Sequence, residues 1–333
     1  MYKMETADRN QLLSAITTIQ TEEFDALALE VFRYQATNNP LYNRFLSLLG
    51  RNPEHISQLT EIPFLPIQFF KSHRVQTGTW EPEIEYTSSG TTGQTPSRHL
   101  VRSVDWYLQN AIRGFTLQFG SPEEWRTLAL LPSYLERTGS SLVAMAKSFI
   151  ELSRYPDSGF FLNDHKQLAQ VLSSRKPGEK TLLLGVSFGL LDFAEQYPMD
   201  LTGVTIMETG GMKGRRKELT RPELHAVLKQ AFQVEAIYSE YGMTELFSQA
   251  YTSGGLRFTA SPTFKVLCAE ATDPFNFLPP TRNGVLNLID LANIDTCSFI
   301  ATEDVGRVYS DGSFEILGRL DHAEMRGCNL MLE

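Results

Sequence analysis

The stretch Val204-Thr205-Ile206-Met207-Glu208-Thr209-Gly210-Gly211 decides the fold, because a short apolar run breaks there into a polar loop that ends in glycine. The pattern recurs along the chain: Thr127 to Leu131 ends at Pro132-Ser133, Thr181 to Val186 at Ser187, and Val234 to Tyr238 at Ser239-Glu240-Tyr241-Gly242. Apolar runs without alternation suit strands covered on both faces, as in a parallel sheet between helices. Helical patterns usually follow these loops, so the expected class is α/β. In such sheets ligands bind at the carboxyl ends of the strands, where the loops lie.

Upstream, Phe24, Leu27, Val31 and Tyr34 recur at helical spacing after Glu22 and Glu23, which predicts a helix from Thr21. Ile62-Pro63-Phe64-Leu65-Pro66 cannot be helix interior, because its prolines restrict their neighbours. Downstream the chain reads β-rich. Leu286 to Leu291 is a candidate strand, and Arg307 to Leu317 a hairpin with Asp311-Gly312 at its turn. Phe160, Phe161 and Phe188 read as core rather than ligand pocket.

The chain has 333 residues, 42% hydrophobic and 21% charged, which fits a globular protein. Its net charge of -9 argues against a nucleic-acid partner. The dense basic run Lys213-Gly214-Arg215-Arg216-Lys217 reads as solvated surface. Cys268, Cys297 and Cys328 have neither metal-site nor disulfide-framework spacing, which fits a reducing cytoplasm. The N-terminus lacks a signal-peptide core, and no apolar run approaches the roughly 20 residues of a membrane span.

Thr87-Ser88-Ser89-Gly90-Thr91-Thr92-Gly93 offers only hydroxyls and glycines. Backbone N–H groups in such a loop can cradle an anion, and the hydroxyls add donors. Its glycine spacing is not that of a Walker A loop, and no Lys-Ser/Thr pair follows. A plain surface loop is the competing reading.

The order of four segments is informative: this loop, then Tyr241-Gly242-Met243-Thr244-Glu245, then Thr302-Glu303-Asp304, then Gly318-Arg319-Leu320-Asp321. It resembles the adenylate-forming superfamily, which includes acyl-CoA synthetases and phenylacetate-CoA ligases. Pro63 to Lys71, Glu208 to Gly214, Glu240 to Glu245 and Arg326 to Leu330 resemble more narrowly the acyl-protein synthetases of bacterial bioluminescence.

The resemblance implies an adenylate-forming domain over 1–320, with a helical part to about 80, an α/β core to about 255 and a smaller β-rich part to about 320. It implies mostly parallel sheets flanked by helices. A carboxylic acid, fatty or aryl, would react with ATP to give an acyl-adenylate, and a thiol would take the acyl group. Thr87 through Gly93 would grip phosphates, Glu245 would hold Mg²⁺, and Thr244 would donate to the α-phosphate. Tyr241 would pack on adenine, Asp304 would accept from ribose, and Arg319 would sit near ribose or phosphate. Gly210, Gly211 and Gly242 would line the pocket.

Three departures shape the expectation. The loop continues Gly93-Gln94-Thr95-Pro96-Ser97-Arg98 where the superfamily has Gly-x-Pro-Lys. The small C-terminal domain with its catalytic lysine is expected to be absent, leaving Lys213 or Lys71 to supply the charge. The tail 321–333 carries Cys328, which matches the acylated cysteine of the acyl-protein synthetases by position. The acceptor is therefore Cys328 itself, CoA or a carrier protein, with an acyl-reductase as a further partner. A homodimer is compatible with the chain. A non-catalytic nucleotide-binding homologue is the remaining alternative.

Overall fold

A computed structural model of the protein describes residues 8–88, 95–131, 139–210 and 219–320. Three helices come first: α1 (Arg9–Thr18), α2 (Phe24–Asn38) and α3 (Pro40–Leu48). Then come β1 (Leu65–Pro66), the short α4 (Phe69–Ser72), and a two-stranded hairpin sheet of β2 (Ile84–Thr87) and β3 (Arg98–Val101). An alternating region follows: α5 (Val104–Phe119), β4 (Trp125–Leu130), α6 (Ser141–Leu152), β5 (Gly159–Phe160), α7 (His165–Ser173), β6 (Lys180–Val186), α8 (Ser187–Gln196), β7 (Val204–Thr209), α9 (Arg221–Phe232) and β8 (Tyr238–Tyr241). The rest is β9 (Ala250–Thr252), β10 (Phe258–Ala260), β11 (Phe264–Ala269), β12 (Asn283–Asp290), β13 (Phe299–Val308) and β14 (Phe314–Arg319).

One sheet spans the described residues in the order β11-β12-β13-β14-β10-β9-β8-β7-β6-β4-β5, with β1 beside β13. From β5 to β8 every pairing is parallel. From β8 to β11 every pairing is antiparallel. The expected α/β class is thus observed. The β-rich portion continues the same sheet, with β8 as the strand where the two halves join.

Two apolar cores lie against this sheet. One packs Phe115, Phe149, Phe193 and Phe232 of α5, α6, α8 and α9 onto Leu128, Leu183 and Ile206 of the parallel strands. Phe161 and Phe188 belong to it, as their sequence context predicts, and Phe160 packs against it. The other core brings α1 to α3 onto the antiparallel half, more than two hundred residues away in sequence. Phe32 meets Phe299 edge-on at 5.8 Å, and Tyr42 stacks on Phe299 at 6.3 Å. Buried Gln35 adds direction to that contact. Its Nε2 donates to the Asn293 carbonyl at 3.0 Å, and its Oε1 accepts from the Ser298 amide at 2.9 Å.

Helix ends follow their capping residues. Asn39 caps α3 ahead of Pro40, and Ser103 caps α5, which stops at Gly120 with φ 85°. Thr220 and Glu223 form a capping box on α9, satisfying amides that the first turn leaves unpaired.

Two strands depart from expectation. Strand β7 runs on through Glu208 and Thr209, and β8 is Tyr238-Ser239-Glu240-Tyr241, beginning where the apolar run Val234 to Tyr238 ends. These polar residues hold strand geometry because partners satisfy them while buried. Arg221 Nε reaches Glu208 at 3.0 Å, and the Ser239 amide donates to Thr252 Oγ1 at 2.8 Å.

Asp290, at the end of β12, is fully buried. Its carboxylate accepts from the Phe247 amide at 2.7 Å, the Ser248 amide at 2.9 Å, Ser248 Oγ at 2.5 Å and the Ala292 amide at 3.1 Å. Burial pushes its pKa up to about 6 against these donors. Asp290→Ala strands all four, and we expect chemical denaturation to show a loss of about 3 kcal/mol or more. Asp290→Asn, which keeps one acceptor oxygen, should lose less.

Candidate active site

A cavity of about 310 Å³ opens at the carboxyl ends of β7 and β8. Thr209 and Gly210 reach it from β7, and Glu240 with Gly242 through Glu245 from β8 and the loop beyond. Ser140, Ser141, Leu142 and Met145 come from the start of α6, and Thr87, Ser88, Thr95 and Ser97 from the β2–β3 hairpin. Lys71 of α4 and Arg319 of β14 complete the charged wall.

Of the residues singled out in the sequence, Thr87, Ser88, Gly210, Gly242, Thr244, Glu245 and Arg319 converge on this cavity, and Lys71 joins them. Tyr241 and Asp304 do not line it. The Tyr241 ring packs against Phe258 and Phe314, at 5.9 and 5.7 Å. Its hydroxyl donates to Asp304 Oδ2 at 2.7 Å, and Arg319 Nε lies 3.9 Å from Asp304 Oδ1. Tyr241 and Asp304 thus stand behind Arg319. Ser89, Gly90, Thr91, Thr92, Gly93, Gly211, Lys213 and Cys328 lie outside the described residues.

The described ends of the Ser/Thr/Gly loop are clamped together. The Ser88 amide donates to the Ser97 carbonyl at 3.0 Å, and the Ser97 amide to Ser88 Oγ at 2.8 Å. The Thr87 amide donates to the Gly139 carbonyl at 2.8 Å. Gly139 must be glycine there, since its φ is 88° and a Cβ would lie 2.5 Å from the Glu85 carbonyl oxygen.

The loop after β8 is irregular, so side chains satisfy its carbonyls. Asn293 Nδ2 donates to the Glu245 carbonyl at 2.7 Å, and His99 Nδ1 lies 2.7 Å from the Thr244 carbonyl. A carbonyl only accepts, so Nδ1 carries the proton, and Nε2 accepts from Thr296 Oγ1 at 2.9 Å. Burial drives the His99 pKa down to about 4, so the ring is neutral at physiological pH. Sequence reading missed His99, because nothing in Arg98-His99-Leu100-Val101 shows that its partner lies 145 positions away.

Glu245 is 6% exposed. Burial raises its pKa, opposed by the Ser97 hydrogen bond and the charges of Arg319 and Lys71. Glu208 ends lower than an ordinary carboxyl. Burial works against its charge, but the His225 hydrogen bond and Arg221 more than compensate. Glu240, also missed in the sequence, is 6% exposed. Its Oε2 accepts from Thr209 Oγ1. Burial is the main force that raises its pKa to about 7, and the neighbouring Glu208 adds to it.

Glu240 carries a stability prediction. Its folded pKa of about 7 lies above the ordinary 4.5, so the native state binds the proton more tightly than the unfolded chain. That contribution is fully present below pH 4.5 and is lost as pH rises through 7. Glu240→Gln removes the dependence. Relative to wild type, the variant should gain up to about 1.4 kcal/mol per pH unit across that window. Denaturation midpoints at several pH values check this, and a constant difference between the two proteins would contradict it.

No protein-family model and no curated protein sequence matches the chain. Solved structures match in fold. ATP-bound MatB from Rhodopseudomonas palustris is 16% identical with a TM-score of 0.53, over 71% of this chain and 47% of that one. An ATP-bound RpMatB-BxBclM chimera is 14% identical with a TM-score of 0.55, over 73% and 49%. A 2-hydroxyisobutyryl-CoA ligase bound to 2-HIB-AMP and CoA in its thioesterification state is 16% identical with a TM-score of 0.67, over 97% and 74%. The chain thus spans about half the length of the MatB structures and about three-quarters of the 2-hydroxyisobutyryl-CoA ligase. Together with the strand-end cavity, these matches show that the chain has the fold of the adenylate-forming acyl-CoA ligases.

Proposed function

We propose that the protein uses ATP to activate a carboxylic acid as its acyl-adenylate and then passes the acyl group to a thiol. The observation that carries this reading is the convergence of Lys71, Arg319, Thr244 and buried Glu245 on one cavity, beside the clamped ends of the Ser/Thr/Gly loop. The first step brings a carboxylate onto a polyanion, so the site must supply positive charge and aligned donors. Lys71 and Arg319 provide the cations, and the Thr87, Ser88 and Thr244 hydroxyls the donors. His99 and Asn293 fix the backbone that carries Thr244 and Glu245. Tyr241 and Asp304 steady Arg319 from behind and, in this reading, adjoin the nucleoside.

Glu245 fits Mg²⁺, since a buried carboxylate that is costly to charge alone suits a hard cation. Among the described residues no cluster of three or more candidate metal ligands occurs, so phosphate oxygens and water would complete the shell. When bound, the ion supplies charge neutralisation on the phosphates.

ATP–pyrophosphate exchange against a panel of fatty, aryl and hydroxy acids tests the reading. We expect exchange with one class of acid, a loss of at least about a hundredfold in Glu245→Gln, and at least about tenfold in Lys71→Ala. Absence of exchange with every acid would favour a nucleotide-binding protein without this chemistry.

CoA is the acceptor favoured by fold likeness, since the 2-hydroxyisobutyryl-CoA ligase binds it. Cys328 is favoured by its position in the sequence, and its thiolate would be a competent nucleophile. With acid, ATP and Mg²⁺ but no CoA, a hydroxylamine-labile acyl mass on wild type and none on Cys328→Ser assigns the acceptor to the protein. Acyl-CoA formation by both forms assigns it to CoA.

A further inference from the structure

Two polar side chains meet the cavity where Gly242 has none. A Cβ at residue 242 would lie 2.5 Å from Glu240 Oε1, so any side chain there would displace that carboxyl, and 3.5 Å from Gln249 Cγ. Gln249 is 3% exposed and lines the cavity. Its Nε2 donates to the Phe247 carbonyl at 3.4 Å, while its Oε1 is buried with no hydrogen-bond partner among the described residues. Flipping the amide would set oxygen against oxygen and still leave a polar atom orphaned. Beside it, Glu240 Oε2 accepts from Thr209 Oγ1.

Buried acceptors are rarely left unmatched. A hydrocarbon placed beside Gln249 Oε1 would leave it unmatched, whereas a site built to bond a hydroxyl or amine strongly rejects the analogue that lacks it. We propose that the acid activated here carries a hydrogen-bond-donating substituent, hydroxyl or ammonium, received by Gln249 Oε1 beside Glu240 and Gly242. The proposal rests on the adenylation reading and narrows its substrate class away from plain fatty acids. Thr209, Ser140 and Ser141 in the same cavity suit a polar occupant, and Leu142 and Met145 suit a short apolar linker.

The test is pyrophosphate exchange with matched sets of hydroxy, amino and unsubstituted acids of equal chain length. We expect the best donor-bearing acid to exceed its unsubstituted partner in kcat/KM by about ten- to a hundredfold. Gln249→Leu should collapse that ratio. Glu240→Gln separates the two sources: an ammonium preference disappears, whereas a hydroxyl preference persists. The ratio is read on one preparation, so partial misfolding of a variant does not alter it. Equal or faster exchange with unsubstituted acids, or a ratio unmoved in both variants, overturns this inference and leaves adenylation standing. No exchange with any acid, by protein that binds ATP, overturns adenylation and this inference together.

Discussion

The Asp290 carboxylate is the constraint on which the site depends. The chain leaves β8 after Tyr241 and does not re-enter the sheet until Ala250. Without helix or ladder, the amides between them need other acceptors. Asp290 takes two in succession, from Phe247 and Ser248. His99 and Asn293 hold the carbonyls just before them. The loop bearing Thr244 and Glu245 is therefore fixed by polar groups from β3, β12 and the segment after β12. A charge this deep is costly unless every lone pair is used, and here four donors use them.

The same region joins the two cores. Gln35 and Asn39, from the N-terminal helices, bond the backbone between Asn293 and Ser298. Thr296, in that segment, donates to His99. Packing of the first helices on the antiparallel half is thus connected by hydrogen bonds to the backbone of the candidate site. The helices have a structural reason to be present that owes nothing to contact with ligand.

The parallel half was legible in the sequence because its strands are apolar runs: Leu182 to Leu184 and Val204 to Met207 have the composition that burial on both faces demands. The hairpin at Asp311-Gly312 was legible from turn chemistry, and Gly312 has the positive φ of 81° that such a turn favours. Thr244, Glu245 and Arg319 were legible only as members of an ordered set of motifs. Strand β8 was not, because Ser239 and Glu240 read as the end of a strand. What makes them strand residues is the partners Thr252 and Thr209, brought alongside only by the sheet. Nothing in the neighbours of His99 and Gln249 sets them apart, and a sequence records neither the carbonyl that one braces nor the oxygen that the other leaves bare.

Glu240 and Glu245 lie on either side of Gly242, and their surroundings part them. Glu245 is buried but lies within the fields of Arg319 and Lys71, which favour its charge. Glu240 is equally buried, but its immediate neighbours are a hydroxyl and a second carboxylate, so it keeps its proton up to about pH 7. Burial pushes both acids toward the neutral form, but only Glu245 has cations near it that oppose the shift. Paired carboxyls with divergent environments commonly take different roles in one reaction. In the proposed chemistry Glu245 suits the phosphate side, where a cation must be held. Glu240 suits the acyl side, where a second charge left uncompensated would repel the incoming carboxylate. Gly242 lets both act in one cavity, since any side chain there would meet Glu240 before the substrate did.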